Sequence, residues 1–354
     1  MNTELSHFAA RLRELIANSQ SALSNQYFSE LALELFGLQF KHNSTYRKIC
    51  EARKLTPQAV EHWTQIPAVP TAVFKELEMT SLMPDERAAV FHSSGTTEQK
   101  PSRHFHNNES LAVYETSLWN WFQNRFGRAG ELIFLTPNQK TAPRSSLVHM
   151  FEIVRQKFDL PESAFTGNIS GDGAWAIDFS ETIQKLQLAG ATQTPVTLLG
   201  TAFSFVHLLD YLAENHLQFQ LPKGSRVMET GGYKNRSRIL PKAELHTLIT
   251  DRLGVPPKNI ICEYGMSELS SQAYAESSGA FHFPPWARAR IISPESGREV
   301  AEGETGIICI LDLANVFSVA AIQTEDLGVR RGDRFELVGR EQLAEPRGCS
   351  LMTA

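Results

Sequence analysis

NIICEYGMSELSSQAY, residues 259–274, sets an apolar β-favouring run ahead of a turn at Tyr264-Gly265 and a polar stretch of helical character. A strand that runs into a glycine turn before a helix is the building unit of an open α/β sheet. In such sheets ligands sit beyond the carboxyl ends of the strands. Further short β-branched runs lie on either side: ELIFLT (131–136), TPVTLLG (194–200), SRVMETGG (225–232) and GIICILDL (306–313). They alternate with helix-patterned stretches such as 110–126, 204–216 and 242–254. The alternation predicts an α/β fold with a mainly parallel sheet layered by helices.

Upstream, residues 24–55 carry apolar side chains at three-to-four spacing and read as helices. Pro67 and Pro70 in IPAVPTAVFKE (66–76) then force an extended connection. The expected organisation is a helical region over 1–85, an α/β domain over 86–340 and a mobile tail over 341–354. Composition narrows the function classes. With 42% hydrophobic and 21% charged residues and a formal net charge of -5, the 354-residue chain reads as a soluble globular protein with no basic footprint for nucleic acid. Residues 1–19 lack the apolar core of a secretory signal and pattern as an amphipathic helix. The most apolar stretch, 306–323, contains Asp312 and Asn315 and reads as buried strands rather than a membrane span. A cytoplasmic location is therefore expected. Cys50, Cys262, Cys309 and Cys349 are far apart, without the paired spacing of a zinc site or redox dithiol. Cys50, Cys262 and Cys309 read as packed apolar residues, whereas Cys349 lies in a polar, Gly-containing tail.

Three segments have the makings of chemistry. In AAVFHSSGTTEQKPSRHFH (88–106), an apolar run delivers the chain into Ser93-Ser94-Gly95-Thr96-Thr97. Hydroxyls and backbone N–H groups around a glycine can converge on the oxygens of a phosphate chain, although the pattern is not that of the P-loop. The same composition also makes plain turns. In the opening stretch, Glu268 beyond the strand end can hold Mg²⁺ and Tyr264 can lie against a base; a strand-to-helix turn with a capping Glu reads equally well. In TEDLGVRRGDRFELVGR (324–340), Asp326 on a turn beside Gly328 can accept ribose hydroxyls, and Asp and Gly are common turn residues in any case.

The order SSGTT, YGMSE, TEDLG…VGR resembles the signature series of the adenylate-forming superfamily of acyl- and aryl-CoA synthetases, luciferases and peptide-synthetase adenylation domains. The resemblance implies that residues 93–97 clamp the pyrophosphate end of ATP, that Tyr264 flanks adenine beside Gly265, and that Glu268 holds Mg²⁺. It also implies that Asp326 binds ribose, that Gly231 and Gly232 of METGGYK line the adenine site, and that Arg340 ends the large domain. More narrowly, LALELFGLQFKHNSTYRKIC, IPAVPTAVFK, FHSSGTT, EYGMSELSSQAY and EPRGCSL together resemble the LuxE-type acyl-protein synthetases over nearly the whole chain. In that family a cysteine near the C-terminus accepts the acyl group, which implies this role for Cys349.

The implied enzyme activates a fatty acid with ATP and Mg²⁺, takes the acyl group onto Cys349, and passes it to an NADPH-dependent reductase. Two departures stand out. Glu98-Gln99-Lys100-Pro101 follows the loop where the superfamily has Gly and then Pro-Lys. The chain also ends fourteen residues after Arg340, so the small C-terminal domain and its lysine are expected to be absent, with Arg103 as a candidate for balancing charge. In the apolar stretch 194–212, Phe203, Phe205 and Leu208 could line an acyl slot, or could be core. Two other readings stay open: the same activation with delivery to coenzyme A or a carrier protein, and a non-catalytic acyl- or nucleotide-binding subunit.

Overall fold

The opening segment folds as α1 (Thr3–Asn18), α2 (Asn25–His42) and α3 (Ser44–Ala52) in a computed structural model that describes residues 2–18, 23–93, 100–127, 130–171, 173–231, 240–276 and 278–340. Small polar residues set the helix starts. Ser24 caps α2 by accepting from the Tyr27 amide, and Asn43 closes α2 and caps α3 by accepting from the Tyr46 amide at 3.0 Å. The proline-rich connection yields β1 (Val69–Pro70) and α4 (Val73–Glu76), then the hairpin β2 (Ala89–His92) and β3 (Arg103–His106). There follow α5 (Asn108–Phe126), β4 (Glu131–Phe134), α6 (Ser146–Lys157), a small hairpin β5 (Gly167–Ile169) and β6 (Trp175–Ile177), and α7 (Phe179–Thr192). Next come β7 (Val196–Thr201), α8 (Ala202–Glu214), β8 (Arg226–Thr230), α9 (Lys242–Leu253) and β9 (Ile260–Tyr264). The chain continues through β10 (Ala273–Ala275), β11 (Ala280–Phe281), β12 (Ala287–Ile292), β13 (Thr305–Asp312), β14 (Ala321–Arg331) and β15 (Arg334–Arg340).

The strands form two principal sheets of different kind. In the five-stranded sheet, ordered β10-β9-β8-β7-β4, the four strands β4, β7, β8 and β9 run parallel and only β10 is antiparallel. Its successive side chains divide between two apolar clusters. Leu132, Phe134, Leu199, Met228 and Ile261 join one face, while Ile133, Leu135, Leu198, Val227 and Ile260 join the other with α7, α8 and α9. The six-stranded sheet, β11-β15-β14-β13-β12 with β1 added beside β14, is antiparallel except for that β1–β14 pair. The expectation of a mainly parallel sheet thus holds for the first sheet and fails for the larger one. The reason is connection length. Parallel neighbours need a crossover, which α7, α8 and α9 supply. No helix separates β12 to β15, and β14 turns into β15 through Gly332 and Asp333, with Gly332 at φ +63°.

The opening helices share the first apolar cluster with the sheets: Phe8, Phe28 and Phe36 belong to it together with Trp286, Ile308 and Phe317. Polar groups join the same parts. Buried Gln39 on α2 donates to the carbonyls of Asn315 (2.7 Å) and Val316 (3.1 Å) and accepts from the Ala320 amide (3.0 Å). Asp312, at the end of β13 and 0% exposed, accepts from the Ser270 amide, the Ser271 hydroxyl and the Ala314 amide at 2.9, 2.7 and 3.0 Å. Burial pushes its carboxyl up to about 6 despite these donors. Asp312→Ala orphans those donors, and removal of the buried charge offsets only part of the loss. The expected destabilisation is about 2–4 kcal/mol, read as a lower denaturant midpoint at unchanged slope, with Asp312→Asn costing less.

Candidate functional site

The ends of β7, β8 and β9 are level, since Thr201 is the register partner of Thr230 and Thr230 that of Glu263. Three turns leave this edge together. Thr201 accepts from the Ser204 amide at 3.0 Å and starts α8. Gly231 follows β8 at φ +70°, exposed, with open space where a Cβ would point. Gly265 follows β9, where a Cβ would lie 2.4 Å from Glu263 Oε1, so any larger residue would displace that carboxylate. Gly231 and Gly265 therefore lie beyond the carboxyl edge of the parallel sheet, where such folds hold ligands.

Tyr264 crosses from this edge to the second sheet. Its ring, 7% exposed, meets Phe335 nearly edge-on at 5.4 Å and contacts Phe281 and Phe283. Its hydroxyl donates to Asp326 Oδ2 at 2.8 Å. Asp326 lies on β14 opposite Arg340 of β15, and its amide donates to Thr324 Oγ1 at 3.1 Å. Tyr264, Asp326 and the Arg340 backbone are thus brought to one place from segments more than sixty residues apart, the Tyr264–Asp326 separation being 62.

Ser93 and Glu268 are joined by a run of small hydroxyls. The β2–β3 hairpin closes where the Ser93 amide donates to the Ser102 carbonyl (3.3 Å) and the Ser102 amide donates to Ser93 Oγ (2.9 Å). Ser102 Oγ lies 3.3 Å from Ser267 Oγ, which donates to Glu268 Oε2 at 3.0 Å. Glu268 is 5% exposed, and its main-chain carbonyl accepts from Asn315 Nδ2 at 2.9 Å. Ser94, Gly95, Thr96, Thr97, Gly232 and Cys349 lie outside the described residues, as does the Arg340 side chain. Lys100 and Arg103, on the return leg of the hairpin, pair with Glu76 at 3.3 Å and Glu78 at 3.4 Å.

Two residues absent from the sequence-based set belong to this place. His104 and His106 alternate along β3, so both face the same side, with rings 4.2 Å apart. His104 Nδ1 is 2.8 Å from the Ser267 carbonyl, which can only accept, so that nitrogen carries the proton. Burial holds His104 down at about 4 and pushes His106 well below its ordinary value, so both rings are neutral at pH 7. The signal in the sequence was the H-x-H alternation directly after the hydroxyl-rich loop.

Of the proposed acyl-slot residues, Phe205 and Leu208 are 0% exposed and packed among the α7–α9 core, as an apolar stripe at helical spacing usually is. Only Phe203 faces open space, a cleft of about 140 Å³ shared with Trp175, Ile177, Phe179 and His207.

The carboxyl pair below the edge gives the site a pH response. Burial and the neighbouring Glu229 raise Glu263 to about 7, while a hydrogen bond from the Thr230 hydroxyl opposes the rise. A folded-state value above the unfolded one means that the folded protein holds the extra proton. This stability is present below about pH 4.5 and lost as pH rises through about 7; Asp312 has the same sign. At about 1.4 kcal/mol per pH unit, ionising Glu263 in place costs on the order of 3 kcal/mol. Glu263→Gln removes that cost. Its thermal midpoint should gain on that of the unsubstituted protein as pH is raised from 5 to 8, and parallel pH profiles would refute the assignment.

The chain matches the family model described as "Acyl-protein synthetase, LuxE" over residues 6–354. It is 25% identical over 345 residues to the long-chain-fatty-acid–luciferin-component ligase of Aliivibrio fischeri, with 92% of this chain and 87% of that protein covered. To the ligase of the same name from Vibrio harveyi it is 25% identical over 337 residues, at the same coverage. Among solved structures, 2-hydroxyisobutyryl-CoA ligase in the postadenylation state superposes with a TM-score of 0.68 at 13% identity, covering 90% of this chain and 68% of that one. The fold is therefore the mixed α/β fold of adenylate-forming ligases. Among the described residues, no helix is long and apolar enough to cross a membrane.

Proposed function

Because the chain belongs to the LuxE family of acyl-protein synthetases and is thereby a ligase, we propose that it activates a long-chain fatty acid with ATP and captures the acyl group on Cys349. The carboxylate oxygen of the acid attacks the α-phosphorus of ATP, giving acyl-adenylate and pyrophosphate. The Cys349 sulfur then attacks the acyl carbon, forming a thioester and releasing AMP, and an NADPH-dependent reductase takes the acyl group onward. In this reading residues 86–340 are the activating body and 341–354 the acyl-carrying tail of a cytoplasmic enzyme.

The observation that carries the proposal is a pair of hydrogen-bonded links leaving one segment, 264–268, which join Glu268 to Ser93 and Tyr264 to Asp326. The donor set suits the substrates. The Asp326 carboxylate is an acceptor pair for ribose hydroxyls, held in orientation by the Tyr264 hydroxyl. Residues 93–97 would bind the pyrophosphate end, and Gly231 and Gly232 would flank adenine with their backbone. The Glu268 carboxylate is a hard oxygen ligand that suits Mg²⁺, which when bound would neutralise phosphate charge. Ser267 and Ser102 hold that carboxylate in register with the phosphate loop.

The thiols also favour Cys349. Cys50 and Cys262 are buried and Cys309 is partly buried; burial pushes Cys50 and Cys309 up to about 11 and Cys262 higher still. None of these three is poised as a nucleophile at neutral pH.

Intact-protein mass spectrometry after incubation with ATP, Mg²⁺ and a panel of fatty and aryl acids tests the reading. An acyl increment that hydroxylamine removes is expected, and the most productive acid identifies the substrate class. Pyrophosphate release without an adduct would transfer the acceptor role to coenzyme A or a carrier protein. No pyrophosphate release with any acid would leave a non-catalytic binding subunit.

A further inference from the structure

Behind the glycine turn that follows β8, three potential metal donors converge from separate elements. Glu229 on β8 and Cys262 on β9 are register partners, so their side chains leave the same face of the sheet. On that face α9 sets His246 above them. Its Nε2 is 3.5 Å from Glu229 Oε1 and 3.7 Å from Cys262 Sγ, and all three donor atoms lie within 4.8 Å of one another. Glu229 and Cys262 are buried and His246 is partly buried.

We propose that Glu229, His246 and Cys262 form a binding site for a thiophilic divalent cation of the zinc class. The donor set is one thiolate, one imidazole and one carboxylate, which zinc accepts at about 2.3 Å for sulfur and 2.0–2.1 Å for nitrogen and oxygen. At a tetrahedral angle those bonds set donor separations of about 3.6 Å for S···N and 3.3 Å for N···O. The separations of 3.7 and 3.5 Å are close to these, so small side-chain adjustments would close the site. The three donors come from β8, β9 and α9, so the fold rather than a local turn holds them together. A cation at the centre would be shared by all three.

Binding releases the thiol proton to solvent and, where it is on Nε2, the imidazole proton; a water would complete the fourth corner. The present counter-charge is Lys242, whose Nζ is 4.0 Å from Glu229 Oε1 on a side chain 43% exposed. It competes with the metal and can swing out to admit it. The inference does not depend on the acyl-transfer reading, because none of these residues has a part in it.

The test uses the full chain carrying Cys349→Ser, which keeps that thiol from binding the probe. Titration with Co²⁺ should produce sulfur-to-cobalt charge-transfer absorption at one equivalent, displaced by Zn²⁺, and Zn²⁺ should raise the thermal midpoint. Cys262→Ala should abolish the band. His246→Gln, a change on the partly exposed helix face, covers the case in which the core variant fails to fold; it should weaken Zn²⁺ binding at least about tenfold. Lys242→Met should tighten binding. Absence of the band, or its persistence in both Cys262→Ala and His246→Gln, would overturn the proposal. Weaker binding by Lys242→Met would likewise place the cation elsewhere.

Discussion

Cys349→Ser should leave acid-dependent pyrophosphate exchange within about twofold of the unsubstituted enzyme while abolishing the hydroxylamine-sensitive acyl adduct. The split follows from the two half-reactions. In the proposed mechanism, forming the mixed anhydride uses residues 93–97, Glu268, Tyr264 and Asp326, and not the Cys349 thiol. Discharging it needs a nucleophile that outcompetes water. A cysteine near neutral pH has a few per cent thiolate and high intrinsic reactivity, whereas a serine without an adjacent base has neither. The readouts are intact mass and isotope exchange on the same preparation. An adduct that persists in the serine variant would reassign the acceptor, while loss of both readouts would show that the tail takes part in activation itself.

Glu268→Gln should reverse that split and lower pyrophosphate exchange by about 10²–10³-fold, the usual scale for losing a preorganised charge-stabilising group. The substitution keeps the shape of the side chain. Gln can still accept from the Ser267 hydroxyl, and the main-chain carbonyl still accepts from Asn315. The thermal midpoint should therefore stay near that of the parent, separating lost chemistry from lost fold. Higher Mg²⁺ should restore part of the rate if the defect is metal affinity. A variant that exchanges pyrophosphate within about threefold of the parent would remove Glu268 from the metal role.

The parallel sheet was legible because β7 and β8 are short apolar runs handed to α8 and α9, whereas the helix expected after β9 does not form, and residues 265–272 lead through turns into antiparallel β10. The antiparallel sheet was misjudged because β-branched runs such as GIICILDL look alike in either sheet. What distinguishes them is the connection, and the short Gly332-Asp333 turn was the available clue. Motif order assigned Tyr264 and Asp326 separate implied roles at one nucleotide site, and nothing in spacing alone predicts their contact across 62 residues. Ser102 was invisible for a related reason. A serine becomes informative only when its partner is known, and Ser267 is 165 positions away. Phe205 and Leu208 show the opposite limit, since an apolar stripe on a helix carries the same pattern whether it faces a ligand or a core. The Glu229–His246–Cys262 cluster was likewise invisible in the cysteine spacing, because register brings Cys262 to Glu229 and helix packing brings it to His246.

The attachment of α2 to the segment after β13 bears on the order in which the chain can fold. Gln39 finds its carbonyl partners at Asn315 and Val316, sequence separations of 276 and 277, and Asn315 in turn holds the main chain of Glu268. During synthesis the opening helices emerge long before these partners exist, with the Gln39 amide still hydrated while Phe28 and Phe36 already have Trp63 and Tyr46 within reach. α1 can pack on α5 early, where Asn120 donates to the Ile16 carbonyl, but the Gln39 bonds wait for nearly the whole chain, and closing so long a loop makes that step slow. A fragment ending before residue 312 would therefore lack the carbonyls that Gln39 bonds in the complete chain.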